Sequence, residues 1–274
     1  MSLGGLNIRH QRVQRLRRLL SRSGARQSEG VFVAEGAKLI EVALQSRCTI
    51  ESLFVAPEGH TSQTITALVA QAERAGARVF QLAPGVMERV ADTVTPQPIC
   101  AVVAALDVSL EALLALPAGD GASRLFLVCA DVRDPGNLGA VLRIAAASGV
   151  SGVIACAGSV DPYNPKTVRA SAGAVFQVPL VKAPAPPETL VQLQRSGVTL
   201  LGTRASGGTD YLVADYGGDV ALVLGNEASG LPEELGVALD GALTIPMAEG
   251  TESLNVAMTA AVLCFEAARR RRLA

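Results

Sequence analysis

The sequence is short of aromatic and histidine side chains. It has no tryptophan, aromatic residues make up 3% of it, and its only histidines are His10 and His60. Two isolated histidines are a poor basis for a Ser-His-Asp triad or for a histidine-rich metal site. Any chemistry must therefore depend on arginine, carboxylate, amide, hydroxyl and backbone groups, and we expect no metal.

Cysteine is also sparse and lacks a metal-binding or redox spacing. The five cysteines are scattered, mostly within apolar runs, and none belongs to a C-x-x-C pair. This distribution is typical of reduced thiols in the core of a cytosolic protein. No apolar run reaches membrane-spanning length, and the N-terminus lacks the apolar core of a signal peptide. We therefore expect a soluble, cytoplasmic protein.

The net charge gives no sign of a polyanionic partner. It is −1 at pH 7, so nucleic acid would have to bind through local basic patches. One such patch lies between residues 9 and 26, where arginines alternate with leucine and valine at the spacing of an amphipathic helix. Its arginine face is either a solvated exterior or a phosphate-binding surface, with Arg15 and Arg18 as the candidate RNA contacts.

The chain divides into two segments by its pattern. At 274 residues and 49% hydrophobic composition it is long enough for two cores. Residues 1–106 alternate short strands with helices, which is typical of a compact α/β domain. Residues 107–123 contain one proline and two glycines and predict a partly ordered linker. Residues 124–274 form the second predicted domain, an α/β unit with a mostly parallel sheet.

Three stretches of the second domain share one design, an apolar strand followed by a polar loop and a helix. The loops contain N-x-G-x-x-x-R at Asn137, Gly139 and Arg143, G-N-E-x-x-G-L at residues 225–231, and I-P-M followed by S-L-N-V at residues 245–256. Loops at the carboxyl ends of parallel strands are where open α/β sheets bind ligands. The repetition predicts a ligand site built from all three loops.

The three motifs, in this order and spacing, resemble those of the SpoU/TrmH branch of the SPOUT RNA methyltransferases. The resemblance covers roughly residues 124–270. It implies S-adenosylmethionine as cofactor and a ribose 2′-OH as the methylated group, with ribosomal RNA, 23S in particular, favoured over transfer RNA. Two alternatives stay open: a tRNA 2′-O-methyltransferase, and a non-catalytic RNA-binding module that keeps the fold.

The resemblance also changes the fold expectation. Pattern alone predicts an ordinary doubly wound sheet, because threaded chains are essentially absent from proteins in general. SPOUT proteins instead form a C-terminal trefoil knot that holds the cofactor, here expected around Thr203, Gly225 and residues 245–254. Residues 1–106 are similar to the ribosomal-protein-L30-like substrate-binding domain that precedes the catalytic part in many members; a generic α/β domain is the alternative.

The resemblance assigns roles to individual residues. The expected catalytic residues are Arg143, Asn137, Glu227, Ser253 and Asn255. The expected cofactor contacts are Thr203, Leu224, Gly225, Ile245, Met247 and Leu254. Arg169 is an expected RNA phosphate contact.

Each assignment has a structural alternative. Gly225 could be a turn glycine, Ile245, Met247 and Leu254 plain core residues, and Arg169 a surface arginine. Glu227 is expected to brace Asn137 or the arginine, or else to hold a helix N-terminus. The chain also departs from the family at Glu249, where members often have glycine.

The last helix, beginning near Asn255, carries no charge before Glu266. A helix that is apolar nearly all round must be covered by a core or by a second subunit. The family also dimerises beside its knot, so we expect a homodimer.

Overall fold

The computed structural model describes residues 5–91, 93–117 and 123–273. Its strands are β1 (Val31–Glu35), β2 (Ile50–Val55), β3 (Arg78–Gln81), β4 (Ile99–Ala104), β5 (Leu125–Cys129), β6 (Gly152–Cys156), β7 (Leu180–Ala183), β8 (Thr199–Thr203), β9 (Thr209–Asp210), β10 (Val220–Leu224) and β11 (Gly241–Thr244). Its α-helices are α1 (Gln11–Ser21), α2 (Ser23–Glu29), α3 (Ala37–Gln45), α4 (Gln63–Arg74), α5 (Val86–Val90), α6 (Leu110–Ala115), α7 (Pro135–Ser148), α8 (Pro165–Ala170), α9 (Pro186–Arg195), α10 (Glu233–Gly236) and α11 (Val256–Leu273).

The chain forms two compact units. The N-terminal unit comprises the residues up to Leu106 together with Tyr163–Phe176, which we call the inserted segment. The C-terminal unit comprises Asp107–Pro162 and the chain from Gln177 onward. The sequence-based division put residues 163–176 in the second domain, so the grouping differs there. It also differs at residues 107–117, because α6 lies in the C-terminal unit and buries Leu110 and Leu113 in its core.

The N-terminal unit is built on a four-stranded sheet in the order β1-β4-β2-β3. Strand β4 pairs antiparallel with β1 and β2, and β2 pairs parallel with β3. Helix α1 buries Val13, Leu16, Leu19 and Leu20 on its apolar face, as the amphipathic pattern predicts. The helix ends at Ser21 and a second one follows, because Arg22 adopts an extended conformation.

The inserted segment supplies part of this unit's core. Tyr163 is 2% exposed and stacks on Phe32 of β1 with ring centroids 4.4 Å apart, while its hydroxyl accepts a hydrogen bond from the Leu106 N–H at 2.7 Å. Phe176 stacks on the same Phe32 at 5.9 Å. At Gly173 the backbone is left-handed and an added Cβ would lie 3.1 Å from Val42. The sequence pattern predicts a strand at residues 175–178, but Ala174–Phe176 is a 3₁₀-helix and the strand is β7.

The C-terminal unit contains a seven-stranded sheet in the order β7-β6-β5-β10-β8-β11-β9. Each pair of neighbouring strands in this order is parallel. The mostly parallel α/β architecture expected from the sequence is therefore confirmed. The sequence pattern predicts a strand at residues 243–245 and none at residues 209–210, whereas β11 begins at Gly241 and β9 covers Thr209–Asp210. The trefoil knot stays a prediction.

Helix α11 lies against α7 and also contacts β10. Its far end is held by Arg271, whose guanidinium donates to the carbonyl oxygens of Ser123, Arg124 and Gly218. Burial raises the pKa of Cys264 on this helix to about 12, which keeps that thiol protonated. Within the described ranges, no helix is both long and apolar enough to cross a membrane.

Candidate active site

Three polar loops follow parallel strands and so lie at one edge of the seven-stranded sheet. The first follows β5, the second follows the adjacent β10, and the third follows β11. The first loop leads into α7, whose N-cap is Asp134 with Pro135 in the first turn. The Asp134 carboxylate accepts a hydrogen bond from the Asn137 N–H at 2.9 Å. An Asp-Pro pair is a common helix start, so the sequence contained the signal for this cap.

A chain of side-chain hydrogen bonds joins the three loops. The Asn137 amide nitrogen donates to Glu227 Oε1 at 3.0 Å, and the Asn255 amide nitrogen donates to Asn137 Oδ1 at 2.9 Å. The Asn255 Oδ1 accepts from the Ala257 N–H at 2.9 Å and so caps α11. Asn137 therefore connects the second loop with the third, and both ends of its amide are used.

Glu227 accepts hydrogen bonds from other groups besides Asn137. Its carboxylate also accepts the backbone N–H groups of Asp134 at 3.2 Å and of Arg133 at 3.4 Å. Burial raises the pKa of Glu227, but these hydrogen bonds and the one from Asn137 outweigh it and leave the pKa below its usual range. Glu227 thus braces Asn137 and the start of α7 together. Within the described residues, Glu227 makes no hydrogen bond or ion pair with Arg143.

The lowered pKa of Glu227 predicts a pH-dependent contribution to stability. The native carboxylate pKa lies below the unfolded value of about 4.3, so the stabilisation is fully present above that value and is lost as the pH falls through the native pKa. We expect wild type to exceed Glu227→Gln in free energy of unfolding at pH 7, and the difference to shrink on acidification. Urea denaturation of both proteins over this pH range measures it. A difference independent of pH would exclude the carboxylate charge as its source.

The second loop is closed on itself. Asn226 and Gly230 exchange backbone hydrogen bonds of 2.9 and 3.0 Å. A Cβ on Gly225 would lie 2.3 Å from the Gly230 carbonyl carbon, so glycine is required there by the loop's own geometry. The Asn226 amide nitrogen donates to Asp131 Oδ2 at 3.3 Å and ties this loop to the first one. Asp131 and Asn226 were not among the predicted site residues.

Arg143 and Ser253 are exposed. Arg143 lies on α7, about two turns after the cap, and within the described residues its guanidinium has no hydrogen-bond or ion-pair partner. The guanidinium is therefore available to a ligand. Gly136 sits beneath the cap, where an added Cβ would lie 2.9 Å from Asp134 Oδ1, and Gly139 is buried.

The predicted cofactor residues fall into two groups. Leu224 and Gly225 are buried, and the Leu224 carbonyl accepts the Ala130 N–H at 2.9 Å. The others are partly exposed side chains beside the loops: Thr203, Ile245, Met247 and Leu254. The Thr203 hydroxyl donates to the Val223 carbonyl at 3.2 Å, and Leu254 directly precedes Asn255.

The predicted RNA contacts lie in the N-terminal unit. Arg15 is held by two carboxylates, with Nε 2.5 Å from Glu29 and Nη1 2.6 Å from Glu51. These ion pairs give Arg15 a structural task that sequence periodicity does not reveal. Arg169 is 3.4 Å from Glu35. Arg18 is exposed and has no ion-pair or hydrogen-bond partner through its guanidinium in the part of the chain that is described.

Comparison with known proteins finds a methyltransferase family in the second part of the chain and a substrate-binding domain in the first. The model of the SpoU rRNA Methylase family matches residues 124–265, and that of the MRM3-like substrate binding domain matches residues 10–101. The chain is 30% identical over 240 residues to the 23S rRNA (guanosine(2553)-2′-O)-methyltransferase RlmP of Bacillus subtilis, covering 88% of this chain and 89% of the relative.

Two comparisons involve Streptomyces viridochromogenes. Its 23S rRNA (uridine(2479)-2′-O)-methyltransferase is 28% identical over 271 residues, which cover 97% of this chain and 92% of the relative. The crystal structure of the SpoU methyltransferase AviRb with AdoMet matches with a TM-score of 0.84 and 28% identity, covering 96% of this chain and 99% of that one. The resemblance seen in the three motifs is confirmed, and the chain belongs to the SpoU rRNA methylase family.

Proposed function

We propose that this protein is an S-adenosylmethionine-dependent methyltransferase that modifies a ribose 2′-OH of 23S ribosomal RNA. The observation that carries the proposal is the hydrogen-bond chain from Glu227 through Asn137 to Asn255. It draws together the three loops whose motifs define the family. The relatives from Bacillus and Streptomyces are both named as 2′-O-methyltransferases of 23S rRNA.

The loops have suitable chemistry for S-adenosylmethionine. Within the described residues, the backbone N–H groups of Met247 and Leu254 have no hydrogen-bond acceptor, and the side chains of Ile245, Met247 and Leu254 are only partly buried. Unpaired donors beside incompletely covered apolar side chains fit an adenine ring. When bound, the cofactor supplies the methyl group. Thr203 and the backbone at Leu224 and Gly225 complete the proposed cofactor contacts, and the expected knot belongs to the same proposal.

Arg143 is proposed as the group that stabilises the attacking oxygen. A guanidinium stays protonated near neutral pH, so it acts by binding the forming 2′-alkoxide or by delivering the proton to a substrate phosphate. Asn137, Glu227 and Asn255 fix the loops and helix starts around it. Ser253 is exposed beside Asn255 and is available to the substrate.

The test combines cofactor binding with RNA mapping. Isothermal titration should show binding of S-adenosylmethionine, and ribosomal RNA from cells lacking this protein should lose one ribose methylation that the purified protein restores. A missing site in tRNA instead would identify a tRNA enzyme. Failure to bind the cofactor would favour an RNA-binding module without turnover.

The N-terminal unit is proposed to select the RNA, in keeping with its match to a substrate-binding domain. Arg18 is the better placed of the two helix arginines, because its exposed side chain is not engaged by a carboxylate. Arg15 instead holds Glu29 and Glu51. Arg169 is also proposed as a phosphate contact, and it would bind the phosphate while its guanidinium is paired with Glu35. Acting on ribosomal RNA, the protein would work in the cytoplasm.

A homodimer is proposed from the uncovered stripe of α11. Met258 is 61% exposed and Phe265 is 46% exposed, one heptad apart on the same face. We expect Met258→Glu combined with Phe265→Glu to convert a dimer to a monomer, because two charges on an apolar interface cost several kcal/mol to bury. Light scattering at micromolar concentration measures the change.

The matched control for the dimer prediction is Val191→Glu. Val191 is 40% exposed on α9, so the substitution adds one glutamate charge at an apolar surface position of another helix, as each single α11 substitution does. It should leave the molecular mass unchanged. A wild-type protein that is monomeric and fully active would overturn the dimer.

A further inference from the structure

The motif loops carry an unfavourable charge for an RNA substrate. Residues 131–143, 225–231 and 245–255 contain two cations against five carboxylates. The cations are Arg133 and Arg143, and the carboxylates are Asp131, Asp134, Glu227, Glu249 and Glu252. A phosphate backbone that approaches this edge of the sheet is repelled unless the cations meet it directly. Arg143 already has a proposed task at the reacting oxygen, which leaves Arg133.

Arg133 is held in place along its backbone. The preceding Val132 is fully buried and its N–H donates to the Ser159 hydroxyl at 3.1 Å. The following Asp134 is the N-cap of α7. The Arg133 N–H itself donates to Glu227 Oε2 at 3.4 Å, the same carboxylate that holds Asn137. The backbone of Arg133 is therefore fixed, and it shares the Glu227 carboxylate with the side chain of Asn137.

The guanidinium of Arg133 is oriented through its Nε, while its two Nη atoms are open to solvent. Its Nε donates to Asp131 Oδ1 at 2.9 Å, yet the side chain is 71% exposed. Within the described residues, neither Nη atom makes a hydrogen bond. A guanidinium anchored through Nε presents its two outer nitrogens as a fork, the geometry that binds a phosphate bidentately. Asp131 is itself kept in place by Asn226.

We propose that Arg133, oriented by Asp131, binds a backbone phosphate of the RNA close to the ribose that is methylated. Resting on the proposed function, this assigns a substrate-binding role to a residue outside the three motif patterns. Arg133 contributes equally to RNA binding in the ground state and in the transition state, so its loss should affect KM and not kcat. It takes no part in cofactor binding.

The experiment measures steady-state methylation of ribosomal RNA taken from cells lacking this protein. Arg133→Ala should raise KM for RNA about tenfold, the scale for a lost charge-assisted hydrogen bond. At saturating RNA, kcat should stay near the wild-type value. The slope of log affinity against log salt should fall by about one, as for a lost phosphate contact. Arg133→Lys keeps the charge without the fork and should recover part of the affinity.

The matched control is Arg195→Ala. Arg195 is an exposed arginine that ends α9 just before β8 begins, so it lies at the opposite edge of the parallel sheet. Its loss should change neither KM nor the salt slope. If Arg133→Ala behaves like this control, Arg133 is a solvated side chain and the inference is wrong. If the wild-type protein binds no S-adenosylmethionine and transfers no methyl group, the proposed function itself is wrong. That outcome is seen in the wild type alone, so it is distinct from any effect of the Arg133 variants.

Discussion

Replacing Arg143 with alanine or with lysine should lower the rate of methyl transfer at least about a hundredfold, the scale for removing one preorganised stabilising group. A neutral arginine base is disfavoured, because deprotonating a group of pKa above about 12 near pH 7 costs roughly 7 kcal/mol. The guanidinium must therefore act as a cation, or pass its proton on. Lysine keeps the charge but lacks the planar fork, so it should not restore the rate.

Single-turnover assays with saturating RNA measure this effect without interference from product release. Affinity for S-adenosylmethionine and the oligomeric state should change little. Arg143 is exposed and unpaired within the described residues, and alanine favours a helix, so neither substitution should unfold α7. A near wild-type rate in Arg143→Ala would exclude the catalytic role. A loss of rate accompanied by unfolding would make Arg143 a structural residue.

The convergence of the three loops could be predicted because it follows from local patterns. Each loop succeeds an apolar strand, and parallel strands place their carboxyl ends at one edge. The sequence likewise predicts the cap at Asn255, since an amide before an apolar helix is a common N-cap. What the pattern left open was the partner of Glu227. Asn137 and the first-loop N–H groups follow β5, which becomes the neighbour of β10 only in the folded sheet.

Other features depend on contacts between residues far apart in sequence, and periodicity carries no information about those. Periodicity places Arg15 on the polar face of an amphipathic helix, yet its guanidinium forms ion pairs with Glu29 and with Glu51 of β2. Three of the four residues 175–178 are apolar, a pattern that predicts a strand. Val175 and Phe176 are apolar because they are buried in the core of the N-terminal unit.

The inserted segment changes what a truncation should do. The simplest division of labour predicts that deleting residues 1–106 leaves cofactor binding intact and abolishes methylation. The deletion, however, removes Phe32, the aromatic partner of both Tyr163 and Phe176. Each aromatic ring buries about 150–250 Å², so the remainder would expose an apolar patch of several hundred Å². We therefore expect the simple deletion to aggregate.

A second variant separates folding from function. It lacks residues 1–106 and has residues 163–176 replaced by a glycine-serine linker of equal length. This variant should stay soluble and bind S-adenosylmethionine near the wild-type affinity, because the predicted cofactor residues all lie in the C-terminal unit. Methylation should fall at least about a hundredfold, since it has lost the binding energy that positions the RNA.

Size-exclusion chromatography, isothermal titration and methyl transfer on both variants test this prediction. Limited proteolysis adds a local readout, because residues 163–176 should be protected in the full chain and cleaved in the simple deletion. If the simple deletion is monodisperse and takes up the cofactor, the inserted segment does not depend on Phe32 and residues 1–106 can be removed cleanly. If the linker variant still methylates ribosomal RNA at the wild-type rate, the C-terminal unit selects its substrate alone, and the N-terminal unit has another task.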